Sequence, residues 1–225
     1  MGLGVEDEEV IARQHSQRKR RSRLLAPCFK MLLTNLQILS SAEDCERNIK
    51  WGFEVAMVGN EGAIGIPIVL RTNKTPYQVM VQIPVRSAFR IKAEVLRNEF
   101  DRGGKFRDLM LRYTEVVLTQ ITQSAVCNHF HSSVQRLARW LLIANDLVER
   151  DTFYLTHEFI SHMLGSPRTG VTMAAGVLQK TGLLSYTRGK ITILDRSGLE
   201  EAACECYKIV RESFDHFLDS EEANV

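Results

Sequence analysis

Between Thr156 and Leu194 the sequence leaves the backbone little choice, because helix starts, helix stops and a tight turn follow one another without a spacer. Thr156 is suited to cap a helix whose Phe159, Ile160, Met163 and Leu164 face inward, and Gly165 stops it. Ser166 at the next cap position and Pro167 at the first helical position restart the helix, since the amide that proline lacks is not needed there. Val171, Ala174, Ala175 and Leu178 form the buried face of this second helix, and Gly182 ends it. Ser161 and Ala175 are small enough for the two helices to approach closely. The pattern is that of a helix-turn-helix. Leu184 and Tyr186, then Ile191 and Ile193, alternate on either side of Arg188-Gly189, which predicts a β-hairpin with a basic tip. A helix-turn-helix followed by such a hairpin is a winged helix.

A second helix of this kind enters the major groove of DNA with its N-terminal end facing base edges, while the first lies across the backbone. Arg168 is then the residue for direct readout, because a guanidinium can donate two hydrogen bonds to guanine O6 and N7. Thr169 and Thr172 share its exposed face and can donate to bases or phosphates, and Met173 offers apolar contact to a thymine methyl. Ser166, with the free amides of the helix start, suits a phosphate, as do Arg188, Lys190 and Tyr186 on the wing. The bland readings are an ordinary helical hairpin inside a core and, for each basic residue, a solvated charge. It is their shared placement on one motif that favours DNA.

The 225 residues suffice for one large domain or two small ones, and 44% apolar with 25% charged residues is ordinary globular composition. A net charge of +2 argues by itself against a polybasic nucleic-acid binder. That value is an average over unlike regions: residues 196–225 hold three basic and eight acidic residues, a local −5, so the preceding residues carry +7. No acid lies between Glu158 and Asp195. No apolar run reaches bilayer length, and Met1 to Val10 carries Glu6, Asp7, Glu8 and Glu9 in place of a secretory signal. Five cysteines without regular spacing make no disulfide framework. These features predict a cytoplasmic protein with no membrane partner.

Upstream, residues 1–52 lack a sustained period and are expected to be poorly ordered or atypical; they contain the cluster Arg18, Lys19, Arg20, Arg21 and Arg23, and one short element at Leu32 to Leu39. From Phe53 short β-type runs follow: Phe53 to Val58, Ile66 to Leu70, Tyr77 to Ile83 and Ser87 to Ile91, with turns at Gly59, Gly62 and Gly65. Lys92 to Phe100 reads as a short helix. After Gly103-Gly104 a long helix runs from about Lys105 to Cys127, its stripe formed by Leu109, Tyr113, Val116, Val117, Ile121 and Ala125. Ser132 caps a third helix carrying Val134, Leu137, Ala138, Leu141 and Leu142, and Asp151 to Leu155 links it to the helix-turn-helix.

From about Phe53 to Tyr207 the sequence resembles the Crp/Fnr family of bacterial transcription regulators, most specifically over Leu155-Thr156-His157-Glu158-Phe159-Ile160, Gly165-Ser166-Pro167-Arg168, Gly182-Leu183-Leu184 and the wing. The resemblance implies an α+β chain in three parts: an atypical segment at 1–52, a partial antiparallel β-roll sensor with a dimerisation helix at 53–128, and a winged helix-turn-helix with an acidic C-terminal helix at 129–225. It implies a homodimer on double-stranded DNA, with the stripe Leu109, Tyr113, Val116, Val117, Ile121 and Ala125 facing a second copy and RNA polymerase as a further partner of an activator. Departures are specific. Thr169 and Met173 stand where family members commonly place a glutamate and a second arginine, so the usual operator is not implied. Gly65 is followed by Ile66 where cyclic-nucleotide binders carry Gly-Glu, the expected arginine falls near Pro76, and Arg86-Ser87-Ala88 lies one strand too late, which argues against a cyclic nucleotide. The roll itself looks half missing, which would leave open strand edges.

No catalytic triad can be assembled, and no enzyme activity or cofactor is expected. His157-Glu158 and His162 lack the spacing of a zinc-protease helix. Cys204-x-Cys206 on a helix would point to different faces without a second pair, and His129-x-His131 suits a cap or solvent, so no metal site is expected. The competing function is a ligand-binding or protein-interaction module whose helix-turn-helix has lost DNA.

Overall fold

The short β-type runs pair into two small antiparallel sheets ahead of the helices. The computed structural model describes residues 29–33, 36–41, 52–59, 62–72, 77–81, 88–148 and 151–222. Strand β1 (Phe29–Leu33) pairs with β5 (Ala88–Lys92), and β2 (Leu36–Ser41) lies between β3 (Gly52–Val58) and β4 (Gln78–Val81). The expectation for residues 1–52 is therefore corrected over 29–33 and 36–41, which supply one strand to each of these sheets. The single element expected at Leu32 to Leu39 is two strands that belong to different sheets. Because β2 pairs on both sides, it covers one edge each of β3 and β4. The basic cluster at Arg18 to Arg23 lies outside the described residues, as do Pro76, Arg86 and Ser87.

Ile66–Val69 is a helical turn, α1, not a strand. A short apolar run has no period to separate the two, and here Pro67 sits in the first turn where its missing amide costs nothing. The turn closes through Ile68 N donating to Gly65 O at 2.7 Å. Just upstream, Gly62 has more than a turn to serve. A β-carbon there would lie 2.5 Å from the Tyr113 hydroxyl.

Helix α2 (Ala93–Arg102) and α3 (Lys105–Phe130) flank Gly103 and Gly104, whose φ of 79° and 73° break the helix where a side chain would be strained. The long helix forms as the periodicity predicts, but its stripe turns the other way. Tyr113, Val116 and Val117 are buried against Ala56 and Val58 of β3 and Phe217 of α8 (Cys206–Glu222), with Leu109 and Ile121 packed at the margin. Of the six residues assigned to a partner copy, only Ala125 is exposed. The chain's own strand and last helix cover the apolar face first.

Helix α4 (Ser133–Val148) is capped by Ser132, whose hydroxyl accepts from Gln135 N while the Gln135 side chain accepts from Ser132 N. Leu137, Ala138, Trp140, Leu141 and Leu142 of α4 are almost completely inaccessible. They pack on α5 (His157–Met163), α6 (Arg168–Lys180), the three-stranded sheet and Leu199 of α7 (Arg196–Ala202). The expected link at Asp151 to Leu155 contains a strand, β6 (Thr152–Tyr154). It extends the hairpin of β7 (Leu184–Thr187) and β8 (Lys190–Ile193) in the order β6-β8-β7. Arg196 ties α7 to its neighbours, donating to Asp146 at 2.6 Å, to Tyr207 Oη at 2.7 Å and to Glu200 at 3.1 Å. Among the described residues no helix is long and apolar enough to cross a membrane.

The β-roll and the helical part meet at Glu54. Its carboxyl is buried and accepts from Trp140 Nε1 at 3.0 Å. Burial raises its pKa from 4.5 to about 8, against the opposing pull of the Trp140 hydrogen bond and the Arg139 charge. Below about pH 8 the folded chain holds Glu54 neutral, whereas the unfolded chain ionises it above 4.5. Its contribution to stability is thus fully present below pH 4.5 and is lost as pH rises toward 8. Glu54→Gln removes that loss: melting curves of wild type recorded from acid to neutral pH will fall relative to those of the variant.

Candidate nucleic-acid interface

Helix α5 starts at Thr156, whose side chain accepts from Phe159 N at 3.1 Å, and buries Ile160, Ser161 and Met163. Gly165 follows with φ 55°, and Ser166 N donates to Ser161 O at 3.0 Å, so the turn is held by backbone bonds. The second helix begins one residue later than expected: Pro167 occupies the cap, and α6 starts at Arg168. Ser166 does not cap it. Its hydroxyl accepts from Arg136 Nη1 at 3.1 Å, and Arg136 also donates to Leu164 O and, at 2.7 Å, to Asn128 Oδ1. This clamp from α4 was not legible in the sequence, where Arg136 is one basic residue among many.

On α6, Val171, Ala174, Ala175 and Leu178 are buried as the periodicity predicts. Arg168, Thr169, Thr172 and Met173 are exposed, Met173 by 73% although it is apolar. The wing forms with Arg188 and Gly189 at φ 50° and 81°, the two left-handed residues that a tight hairpin turn requires. Arg188 and Lys190 are exposed at its tip.

Besides Ser166, two more of the predicted contacts are already engaged within the chain. The Tyr186 hydroxyl donates to Leu155 O at 3.1 Å, and its ring stacks on His157 at 4.2 Å. His157 Nδ1 lies 2.9 Å from Thr172 Oγ1, which also donates to Arg168 O at 3.0 Å. His157 thus joins the first helix, the second helix and the wing. Burial, with Arg168 adding to it, lowers its pKa, so the ring is neutral at neutral pH and adds no charge to the face. Nothing in the local sequence around His157 points to this bridging role.

The metal reading also changes when the chain is folded. Cys127, His131, Cys204 and Cys206 converge so that their ligand atoms all lie within 4.8 Å of one another. Cys204 sits in the link before α8 and Cys206 is the first residue of that helix, so the two do not diverge as they would on one continuous helix. The missing second pair comes from the end of α3, one helical turn apart. The Cys127–Cys204 contact lowers the pKa of Cys204, with the His131 charge adding to it, and raises that of Cys127.

A winged helix-turn-helix with a basic, acid-free reading face defines the class: a DNA-binding domain. Residues 135–202 match the family model of the Crp-like helix-turn-helix domain. Solved structures share the fold over most of the chain. A transcriptional regulator of the Crp/Fnr family from Eubacterium rectale is 18% identical with a TM-score of 0.61, covering 78% of this chain and 79% of that one. A CRP-family regulator from Thermus thermophilus is 16% identical, TM-score 0.60, over 78% and 87%. The c-di-GMP responsive regulator CLP of Xanthomonas campestris is 14% identical, TM-score 0.59, over 74% and 84%. No curated protein matches the chain. Residues 135–202 thus carry a Crp-like helix-turn-helix domain, and the chain shares the fold of solved Crp/Fnr regulators.

Replacing Arg136 by Met keeps the packed stem but leaves the Leu164 carbonyl and Ser166 without their charged donor. Urea denaturation is expected to show a loss of roughly 1.5–3 kcal/mol.

Proposed function

We propose that the chain is a sequence-specific DNA-binding regulator that acts as a homodimer, with α6 in the major groove and the wing on the flanking backbone. The observation that carries this reading is the division of α6 into a buried apolar face and an exposed face of Arg168, Thr169, Thr172 and Met173. Arg168 reads a guanine through two hydrogen bonds, Thr169 contacts a base or phosphate, and Met173 packs on a thymine methyl. Thr172 holds its hydroxyl inward and serves chiefly to orient Arg168 and His157. Arg188 and Lys190 line the phosphate side, whereas Ser166, its hydroxyl held by Arg136, fixes the turn and Tyr186, its hydroxyl committed to Leu155, fixes the wing. The reading rests on the Crp-like domain match and on the shared fold.

The dimer uses the face of α3 that the chain leaves open. Leu111 and Leu118 are 48% and 57% exposed, and with Ala125 they recur every seven residues, the repeat of a coiled-coil seam. With Tyr113, Val116 and Val117 turned inward, this stripe takes the place of the one read from sequence. The sensor is not expected to take a cyclic nucleotide, because Ile66, the first residue of α1, stands where the ribose-binding glutamate would be needed.

Footprinting on genomic DNA, including the region upstream of its own gene, is expected to reveal a two-fold site with half-sites about one helical turn, roughly 34 Å, apart. Arg168→Ala will cost about 1–3 kcal/mol and relax preference at one base pair, whereas Lys190→Ala will weaken all sequences alike and lower the salt slope by about 1. Leu118→Asp will convert the dimer to monomers in sedimentation and remove two-fold protection. Weak binding that Arg168→Ala leaves unchanged would favour a protein-interaction module instead.

A further inference from the structure

We propose that Cys127, His131, Cys204 and Cys206 hold a single soft divalent cation of the Zn2+ class, which locks the end of α3 to the junction before α8. The four donors come from two places far apart in sequence and meet in the fold. Cys127 and His131 lie one turn apart at the C-terminus of α3, and Cys204 and Cys206 lie on either side of Glu205 where the chain enters α8. Cys127 Sγ is 3.4 Å from Cys204 Sγ, and Cys206 Sγ is 3.6 Å from His131 Nδ1. A tetrahedral ion with Zn–S of about 2.3 Å and Zn–N of about 2.0–2.1 Å needs donors roughly 3.4–3.8 Å apart. These two pairs already have that spacing, and all four donors lie within 4.8 Å of one another, so a small closure brings them onto one ion. The spacing is too tight for an iron–sulfur cluster, whose ligands are separated by the cluster's own atoms.

The surroundings are those of a site that carries charge. Cys127 and Cys206 are 0% exposed and Cys204 4%, and these three form a cluster of their own, separate from the apolar cores. His131 turns Nδ1 toward the thiols and places Nε2 3.1 Å from Glu205 Oε1, the carboxylate support that orients a histidine ligand. Three thiolates and one divalent ion leave a net −1, and Arg136 and Arg139 are close enough to act electrostatically on these sulfurs. Four protein donors leave no open position, which marks a structural centre and not a catalytic one. Cys127 and Cys204 could alternatively form a disulfide, but that would leave Cys206 and the Glu205-supported His131 without a role.

The location gives the ion a function. The Crp-like domain spans 135–202, and the four residues lie immediately before and after it. An ion there closes the domain at its base and fixes it to α3. On the reading that α3 forms the dimer and α6 reads DNA, the ion sets the angle at which two recognition helices are presented.

The test uses the full chain purified under reductant. Elemental mass spectrometry is expected to find about one zinc per chain. Exchange to Co2+ is expected to give the intense visible bands of a tetrahedral ion and a thiolate charge-transfer band. Cys204→Ser and Cys206→Ser will lose the ion, and Glu205→Gln will weaken it by about 10–100-fold. His131→Ala will alter the Co2+ spectrum, and a Cys28→Ser, Cys45→Ser double variant will keep both stoichiometry and spectrum. A folded, reduced wild-type chain that takes up neither Zn2+ nor Co2+ would overturn the proposal, as would full stoichiometry in Cys204→Ser. Should a cysteine variant fail to fold, the wild-type Co2+ spectrum and its response to His131→Ala decide the matter. Metal content and spectrum are read without DNA, so a failure of the DNA-binding reading leaves this test intact.

Discussion

Burial of α4 on nearly every side is the constraint on which the rest of the structure depends. From Leu137 to Asn145 no residue of this helix is exposed, so a polar group it carries is costly unless it finds a partner inside the protein. Those partners connect the chain's parts. Trp140 reaches Glu54 of β3, Arg136 holds the turn between α5 and α6, and Asn145 reaches Asp151 and Arg196. Its apolar residues supply the floor on which α5 and α6 sit. A surface helix could shift by a fraction of a turn at little cost; this one cannot without stranding several buried groups at once.

With the floor in place, the reading face is rigid by construction. Arg136 binds the carbonyl that ends α5, and His157 bridges α5, α6 and the wing through Thr172 and Tyr186. Neither contact needs a net charge on the protein's exterior. The positive charge of this face is left to Arg168, Arg188 and Lys190, with no acid between Glu158 and Asp195 and a net −5 over the last thirty residues. Near-neutrality of the whole chain and a locally positive DNA face are therefore compatible.

Much of the architecture was legible because it is written in local chemistry. The cap at Thr156, the stop at Gly165, the buried positions of α6 and the Arg188-Gly189 turn depend on residues within a few positions of one another, and all of them form. Elements whose identity depends on a distant partner were not legible. Ile66 to Leu70 has no period and becomes helical around Pro67; Thr152–Tyr154 becomes a strand because β8 offers it an edge; Phe29–Leu33 and Leu36–Ser41 become strands of two different sheets. The start of α6 lies one residue later than expected, with Pro167 at its cap and the Ser166 hydroxyl accepting from Arg136.

By itself the sequence determined the kind of DNA-binding motif, its buried and exposed faces, and the existence of a long helix, because caps, turns and periodicity act over one or two helical turns. Only the tertiary structure decided which face of α3 remains open, since the choice lay between the chain's own β3 and α8 and a second copy. It alone gathered Cys127 and His131 with Cys204 and Cys206. A metal-like set of donors separated by more than seventy residues has no spacing to recognise. Its geometry comes into being when α8 folds back along α3.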